Sequence, residues 1–94
     1  MSSHLFIVQV NQPSIEKVYY LGYSKHPRKR AREVCSTSPI GGELMWISDP
    51  VVDPVKLHRE LCGALKKYRL YNNYYKAIEF LRLIAYAEEV TCNE

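Results

Sequence analysis

Two short apolar runs constrain the fold of this chain more than any other feature. They are LFIVQV at residues 5–10 and KVYYLGY at residues 17–23, and both are rich in β-branched and aromatic side chains. That composition is typical of β-strands. The NQP turn signal and the short segment between the runs favour an antiparallel hairpin. We therefore predict two neighbouring, paired strands.

Prolines mark where the next elements begin and end. Pro27 suits the first position of a helix, because the N–H that proline lacks has no partner there anyway. Pro39 and then Gly41 and Gly42 end that helix. ELMWIS at residues 43–48 is predicted to be a third strand. Asp53 and Pro54 then supply the N-cap and the first position of a second helix.

The last third of the chain shows helical periodicity. Between residues 55 and 68, apolar residues recur mostly every three or four positions, which indicates one buried helix face. Residues 74–89 repeat this pattern after the break at YNN and predict another helix. The order β-β-α-β-α-α predicts an α/β fold, in which helices flank a small, three-stranded, mainly antiparallel sheet. Residues 1–94 are expected to form one domain, because a chain of this length supports a single core.

Positive charge is concentrated directly after the second strand. The chain has 13 lysines and arginines against 10 aspartates and glutamates, so its net charge is only +3. Five of the cations nevertheless fall within eight positions, beside a row of tyrosines. Such a cluster is either a solvated helix face or a phosphate-binding surface. Its members are Lys25, Arg28, Lys29, Arg30 and Arg32.

The cysteine pattern and the hydropathy predict an intracellular protein with no membrane partner. Cys35, Cys62 and Cys92 are odd in number, form no CxxC pair and have no zinc-site spacing with the histidines. We therefore expect reduced thiols. The apolar run at residues 5–10 lacks a basic flank and a cleavage site, so no signal peptide is expected. No apolar stretch approaches the length that a bilayer span needs.

The basic cluster lies in a stretch that resembles the GIY-YIG nuclease superfamily, and specifically its short phage and fungal branch. YYLGYSKHPRKR at residues 19–30 places Tyr20 and Gly22 at the family's YIG element. Arg30 follows Gly22 by eight residues, which is the family's spacing for its active-site arginine. VCSTSP at residues 34–39 is similar to the segment that comes next in this branch.

Two later segments extend the resemblance to roughly residues 5–76. KLHREL at residues 56–61 carries His58, where this branch often has the pair LH. RLYNNYY at residues 69–75 is similar to the family's terminal element. By this resemblance, Tyr20, Arg30 and His58 would be the catalytic residues of a phosphodiesterase that uses Mg²⁺ or Mn²⁺.

The chain departs from the family at the metal site. Metal-assisted cleavage needs a carboxylate that holds the cation, but Asn73 stands where the family has its glutamate. Glu60 is the remaining weak candidate, because it lies two residues beyond His58 and so points elsewhere on a helix. The first motif's tyrosine is replaced by Phe6.

Three functions fit this pattern. The first is a divergent but active endonuclease, and the second is a domain that binds nucleic acid without efficient cleavage, DNA being favoured over RNA. The third is a small phage or viral protein-interaction or inhibitor module on the same scaffold, with a protein partner or a second copy as its ligand. Tyr20, Arg30 and His58 are expected to converge on one face of the sheet. The expected nucleic-acid-binding residues are Tyr23, Lys25, Arg28, Lys29, Arg32 and Arg69.

Overall fold

The computed structural model of this chain is an antiparallel sheet with one helix on one face and two helices on the other. It describes residues 3–11, 18–37, 40–71, 73–76 and 80–92. Of the turn predicted at NQP, only Asn11 is within these ranges, and Ser38 and Pro39 of the STSP segment lie outside them.

The sheet has five strands, in the order β3-β1-β2-β5-β4, and each neighbouring pair is antiparallel. The strands are β1 (His4–Val10), β2 (Val18–Ser24), β3 (Gly42–Ile47), β4 (Arg69–Tyr71) and β5 (Tyr74–Tyr75). The helices are α1 (Pro27–Ser36), α2 (Pro54–Ala64) and α3 (Phe80–Cys92), with a 3-10 turn at Lys66–Tyr68. Within the described ranges, none of these helices is long and apolar enough to cross a membrane.

The α/β class and the predicted starts of the first two helices are confirmed, but the number of strands is wrong. RLYNNYY does not merely separate two helices: its ends form the β4–β5 hairpin, and β5 pairs with β2. The helix predicted over residues 74–89 is therefore wrong at Tyr74 and Tyr75, which are strand, and its described part is α3 at Phe80–Cys92. The second helix ends at Ala64 rather than at residue 68. Its N-cap is as predicted, since the Asp53 carboxylate accepts a hydrogen bond from the Lys56 N–H at 3.1 Å.

One layer of the core lies between the sheet and α1. Phe6, Val8 and Val10 alternate along β1 and pack against Ala31 and Val34 of α1. We call this side of the sheet the α1 face. Side chains alternate between the faces of a strand, so the even-numbered residues of β1 lie here.

The other core layer lies beneath α2 and α3. Ile7 of β1, which is completely buried, packs with Leu61 of α2 and with Leu83 and Ala87 of α3. We call this side of the sheet the α2–α3 face. The odd-numbered residues of β1 and β2, which include Leu21, point toward it. β1 is thus covered on both faces, which explains its nearly continuous apolar sequence.

Gly22 makes room for two aromatic rings on the α1 face. The register of β1 and β2 places Gly22 opposite Phe6. A Cβ at Gly22 would lie 2.7 Å from Tyr20 Cε1 and 2.9 Å from Phe6 Cζ. The two rings approach each other with centroids 5.9 Å apart. The glycine of the YIG-like element therefore has a packing role in addition to any role implied by the motif.

Gly22→Ala should lower the free energy of unfolding by about 1–3 kcal/mol, because the added methyl group must displace Tyr20 and Phe6. Gly63→Ala is the matched control, since nothing lies within 4 Å of a Cβ at that position in α2. It should raise the free energy of unfolding by up to about 1 kcal/mol through helix propensity. Urea denaturation measures both changes. Equal effects of the same sign would contradict the packing role of Gly22.

Candidate nucleic-acid interface

Tyr20 and Arg30 meet on the α1 face. Tyr20 lies on β2, and Arg30 lies in the first half of α1. The Arg30 Nη2 group donates a hydrogen bond to the Tyr20 hydroxyl at 3.4 Å, and the guanidinium carbon lies 5.9 Å from the centre of the tyrosine ring. Two of the three predicted catalytic residues are thus brought together.

A second tyrosine supports this pair from the neighbouring strand. Tyr74 of β5 lies opposite Tyr20 in the register, and the two rings meet edge to face with centroids 5.2 Å apart. Phe6 contacts the Tyr20 ring from β1. Tyr20 is therefore held between aromatic neighbours from two strands, which fixes where its hydroxyl can meet Arg30.

Glu33 is a site residue that the sequence analysis missed. Its Oε2 atom lies 3.1 Å from Arg30 Nη1, and the two side chains are 53% and 45% exposed. It forms the only ion pair in the described part of the chain. An exposed ion pair of this kind contributes little to stability. The i,i+3 spacing on a predicted helix was the available signal for this contact.

Three cations line a groove at the start of α1. Lys25, Arg28 and Lys29 form one side of a cavity of about 520 Å³, whose other side includes Ser48 and Asp49. The three basic residues are exposed, and none of them forms an ion pair with any described residue. The groove therefore presents an excess of positive charge, three cations against the carboxylate of Asp49, on the same side of the sheet as Arg30.

Arg32 continues this charge along α1. It is exposed, and within the described ranges it too lacks an acidic partner. Arg32 follows Arg28 by one helical turn, so both lie on the same side of the helix. Of the two, Arg28 lines the groove beside the end of β3, whereas Arg30 reaches toward β2. The cations thus occupy both flanks of α1.

The expectation that Tyr20, Arg30 and His58 share one face is wrong for His58. α2 packs on the α2–α3 face, and the His58 Nε2 group donates a hydrogen bond to the Leu21 carbonyl at 2.9 Å. The ring also meets Tyr23 edge to face, with centroids 5.2 Å apart. His58 therefore lies with the helix that covers the α2–α3 face, and the structure does not bring it into contact with the Tyr20–Arg30 pair.

Two predicted nucleic-acid contacts lie with His58 rather than with the cations. Tyr23 packs against His58, and Arg69 of β4 acts electrostatically on Cys62 of α2. Cys62 Sγ lies 3.6 Å from His58 Nε2 and 3.9 Å from Nδ1. The expected nucleic-acid surface is therefore divided between the two faces, and only its α1 part carries clustered positive charge.

Burial and polar contacts change the pKa values of His58, Cys62 and Tyr75 on the α2–α3 face. Burial lowers the pKa of His58, but the contacts with Cys62 and the Leu21 carbonyl outweigh it, so the pKa of His58 is raised. Burial raises the pKa of Cys62, but the contacts with His58 and Tyr75 and the charge of Arg69 outweigh it, so the pKa of Cys62 is lowered. Burial raises the pKa of the Tyr75 hydroxyl, so that group stays protonated.

The residues present do not fit a protein-held Mg²⁺ or Mn²⁺ ion beside Arg30. The main-chain carbonyl of Asn73 accepts a hydrogen bond from the Leu21 N–H at 3.0 Å, and its side chain is a neutral amide, which holds Mg²⁺ less well than a carboxylate does. Glu60 lies on α2, across the sheet from Arg30. Glu33 is paired with Arg30. Among the described residues, no three His, Cys, Asp or Glu side chains form a group that could hold a metal.

Stability should depend on His58 in a pH-dependent way. Because the folded-state pKa of His58 is raised, its contribution is complete below its unfolded value of 6.5 and is lost as the pH rises through the folded value. The difference in free energy of unfolding between the wild type and His58→Gln should therefore be largest below about pH 6 and should shrink toward about pH 8. Cys62→Ala should lower the His58 pKa, which NMR titration of the ring protons measures. A His58 pKa below 6.5 in the wild type would contradict this assignment.

Comparisons with known proteins do not assign this chain to a family. No family model, no curated protein and no solved structure matches the chain. The resemblance to the GIY-YIG superfamily therefore rests on the quoted residues alone and stays a prediction.

Proposed function

We propose that this domain binds nucleic acid through the sugar–phosphate backbone, on the side of the sheet that carries α1, and that it has no divalent-metal site of its own. One observation carries the proposal. Four exposed cations without an acidic partner among the described residues gather on α1 and the turn before it, next to Arg30. They are Lys25, Arg28, Lys29 and Arg32.

The placement of these charges is unfavourable for the helix on its own. Arg28 and Lys29 lie in the first turn of α1, which contains no acidic residue, although the helix dipole disfavours cations there. Arg28 and Arg32 are like charges at i,i+4, which is also destabilising. A solvated helix face would instead alternate charges of both signs. Bound phosphate groups relieve both penalties, since the N-terminus of a helix and the side chains would then face anions.

Arg30 extends the same surface toward the aromatic residues. A guanidinium can hold two phosphate oxygens at once, and the hydrogen bond to Tyr20 orients it. Glu33 competes with phosphate for the same guanidinium. Among the described residues, no group of carboxylates could complete a metal site here, so we assign Arg30 to binding a phosphate group rather than to phosphodiester cleavage.

The salt dependence of binding tests this proposal. Arg28→Ala together with Lys29→Ala should reduce the slope of log affinity against log salt by about two, because each lost phosphate contact releases one counterion fewer. Lys56→Ala together with Arg59→Ala is the matched control, since both residues are exposed on α2 and the variant loses the same two charge types. Fluorescence anisotropy with a DNA duplex at several salt concentrations measures both slopes.

Equal slope changes in the two double variants would show that only net charge matters and would overturn the assigned surface. If wild-type protein binds neither DNA nor RNA, the nucleic-acid proposal fails. The predicted protein-interaction module is then the better hypothesis.

Opposite effects are expected at Arg30 and Glu33. Arg30→Ala should weaken DNA binding by about 1.5–3 kcal/mol, which a charge-assisted hydrogen bond contributes. Glu33→Gln should strengthen binding by up to about 1 kcal/mol, because it removes a competing carboxylate from an exposed pair. The same anisotropy titration compares these variants with the wild type.

A nicking assay on supercoiled DNA decides whether cleavage accompanies binding. With Mg²⁺ or Mn²⁺, we expect the wild type to show no nicking that EDTA abolishes. Such nicking, if it is lost in Arg30→Ala, would contradict the absence of a metal site while leaving the binding surface in place.

A further inference from the structure

We propose that the nucleic acid bound by this domain is single-stranded where it meets the protein, and that its unpaired bases stack on Tyr20 and Tyr74 beside Arg30. The inference rests on the proposed function, because it takes the phosphate contacts of the cations on α1 as given and adds a site for the bases. It thereby names the class of nucleic acid that the same surface accepts.

The paired strands β2 and β5 carry two tyrosines on each face, and only one of these two pairs is buried. Tyr19 and Tyr75 lie opposite each other beneath α2 and α3, and each is 1% exposed. Tyr20 and Tyr74 lie opposite each other on the α1 face, where they border the core layer and stay partly exposed. We call this second pair the tyrosine patch. α1 therefore buries β1 completely but leaves aromatic surface accessible on β2 and β5.

The geometry of the tyrosine patch suits a stacked base. The two ring centroids are 5.2 Å apart and the ring planes meet at 66°, which is an edge-to-face arrangement. In such a pair the edge of one ring meets one face of the other, so at least one face of each ring lies outside the contact between them. Every base has a π-face, and stacking on an aromatic side chain tolerates any base. The tyrosine patch would therefore accept unpaired bases without regard to sequence.

Arg30 connects the tyrosine patch to the cations of α1. Its guanidinium carbon lies 5.9 Å from the centre of the Tyr20 ring, and its Nη2 group donates to the Tyr20 hydroxyl at 3.4 Å. The Tyr20 ring in turn contacts Tyr74. A phosphate held by Arg30 is thus close enough to the rings that the phosphates and bases of neighbouring nucleotides can meet the cations and the tyrosines together.

A duplex cannot use the tyrosine patch. Its bases are paired and stacked on one another, so a protein reaches only the phosphates, the sugars and the base edges in the grooves. Unpaired nucleotides expose their base faces. Proteins that bind single strands combine a positively charged groove with aromatic side chains on which the bases stack. Both parts are present on the α1 face, since the cation groove lies on one flank of α1 and the Tyr20–Arg30 contact on the other.

Three DNA ligands of equal strand length separate stacking from charge. They are a labelled single strand, the same strand with abasic sites in place of its bases, and the duplex. The abasic strand keeps every phosphate and loses only the bases. Fluorescence anisotropy with the full-length wild-type protein at one salt concentration measures the three affinities. The normal strand should bind about tenfold more tightly than the abasic strand, because stacking on an aromatic ring contributes on this scale for each base. It should also bind more tightly than the duplex, although the duplex has the higher charge density.

Variants of Tyr74 connect this preference to the ring. Tyr74→Leu keeps an apolar side chain but removes the ring, so it should weaken binding of the normal strand by about tenfold and leave the abasic strand and the duplex unchanged. Tyr74→Phe keeps the ring and should bind like the wild type. Tyr86→Leu is the matched control, because Tyr86 is a tyrosine on α3 that is 37% exposed. Circular dichroism establishes that each variant is folded, and the comparison of ligands on the wild type needs no variant.

Equal affinities of the wild type for the normal and the abasic strand, with duplex binding intact, would overturn the tyrosine patch and leave the phosphate-binding surface standing. Equal losses on all three ligands in folded Tyr74→Leu would overturn it too, since the ring would then support the surface rather than hold a base. A loss in Tyr74→Phe as large as that in Tyr74→Leu would have the same meaning. If the wild type binds none of these ligands, nor an RNA strand of the same sequence, the proposed function itself fails and this inference fails with it.

Discussion

The burial of β1 on both of its faces is the constraint on which the rest of the structure depends. Leu5, Phe6, Ile7 and Val8 are all essentially inaccessible to solvent, so helices must cover the sheet on two sides. α1 covers one face, and α2 with α3 covers the other. This arrangement places the Tyr20–Arg30 pair on one face of the sheet and the Cys62–His58 pair on the other. The cation groove and the Cys62–His58 pair are consequently separate surfaces that share a core.

Local sequence signals predicted the elements whose own residues determine where they begin. Pro27 and the Asp53–Pro54 pair begin helices because their effect is confined to one turn. The β4–β5 hairpin was missed because its strands have three and two residues, too few to show an alternating pattern. Its residues become strands through pairing with β2, which is a tertiary effect.

The candidate site was predictable to the extent that its parts lie close in sequence. The Tyr20–Arg30 contact joins β2 to the helix that follows it directly, and the expectation that these two residues share a site came from the resemblance of residues 19–30 to the nuclease motif. The position of His58 depends on which face of the sheet α2 covers. That face is decided by the packing of the apolar side of α2 against residues that are distant in sequence, such as Ile7. Helical periodicity shows that a residue borders a buried stripe, but it does not show which face of the sheet that stripe covers. The Cys62–His58 contact was available from the i,i+4 spacing, which places two side chains together on one helix.

The alternation of side chains along β2 has a consequence for how this chain can change. Tyr20 and Gly22 lie on the α1 face of this strand, and Leu21 and Tyr23 lie on its α2–α3 face. A single inserted or deleted residue within this strand would exchange the two sets, because the side-chain period is two. Tyr20 would then turn away from Arg30, and the support of the His58 ring would be lost in the same event. Substitutions can tune each surface separately, whereas length changes in β2 act on both, so we expect variation in related chains to preserve the length of this strand.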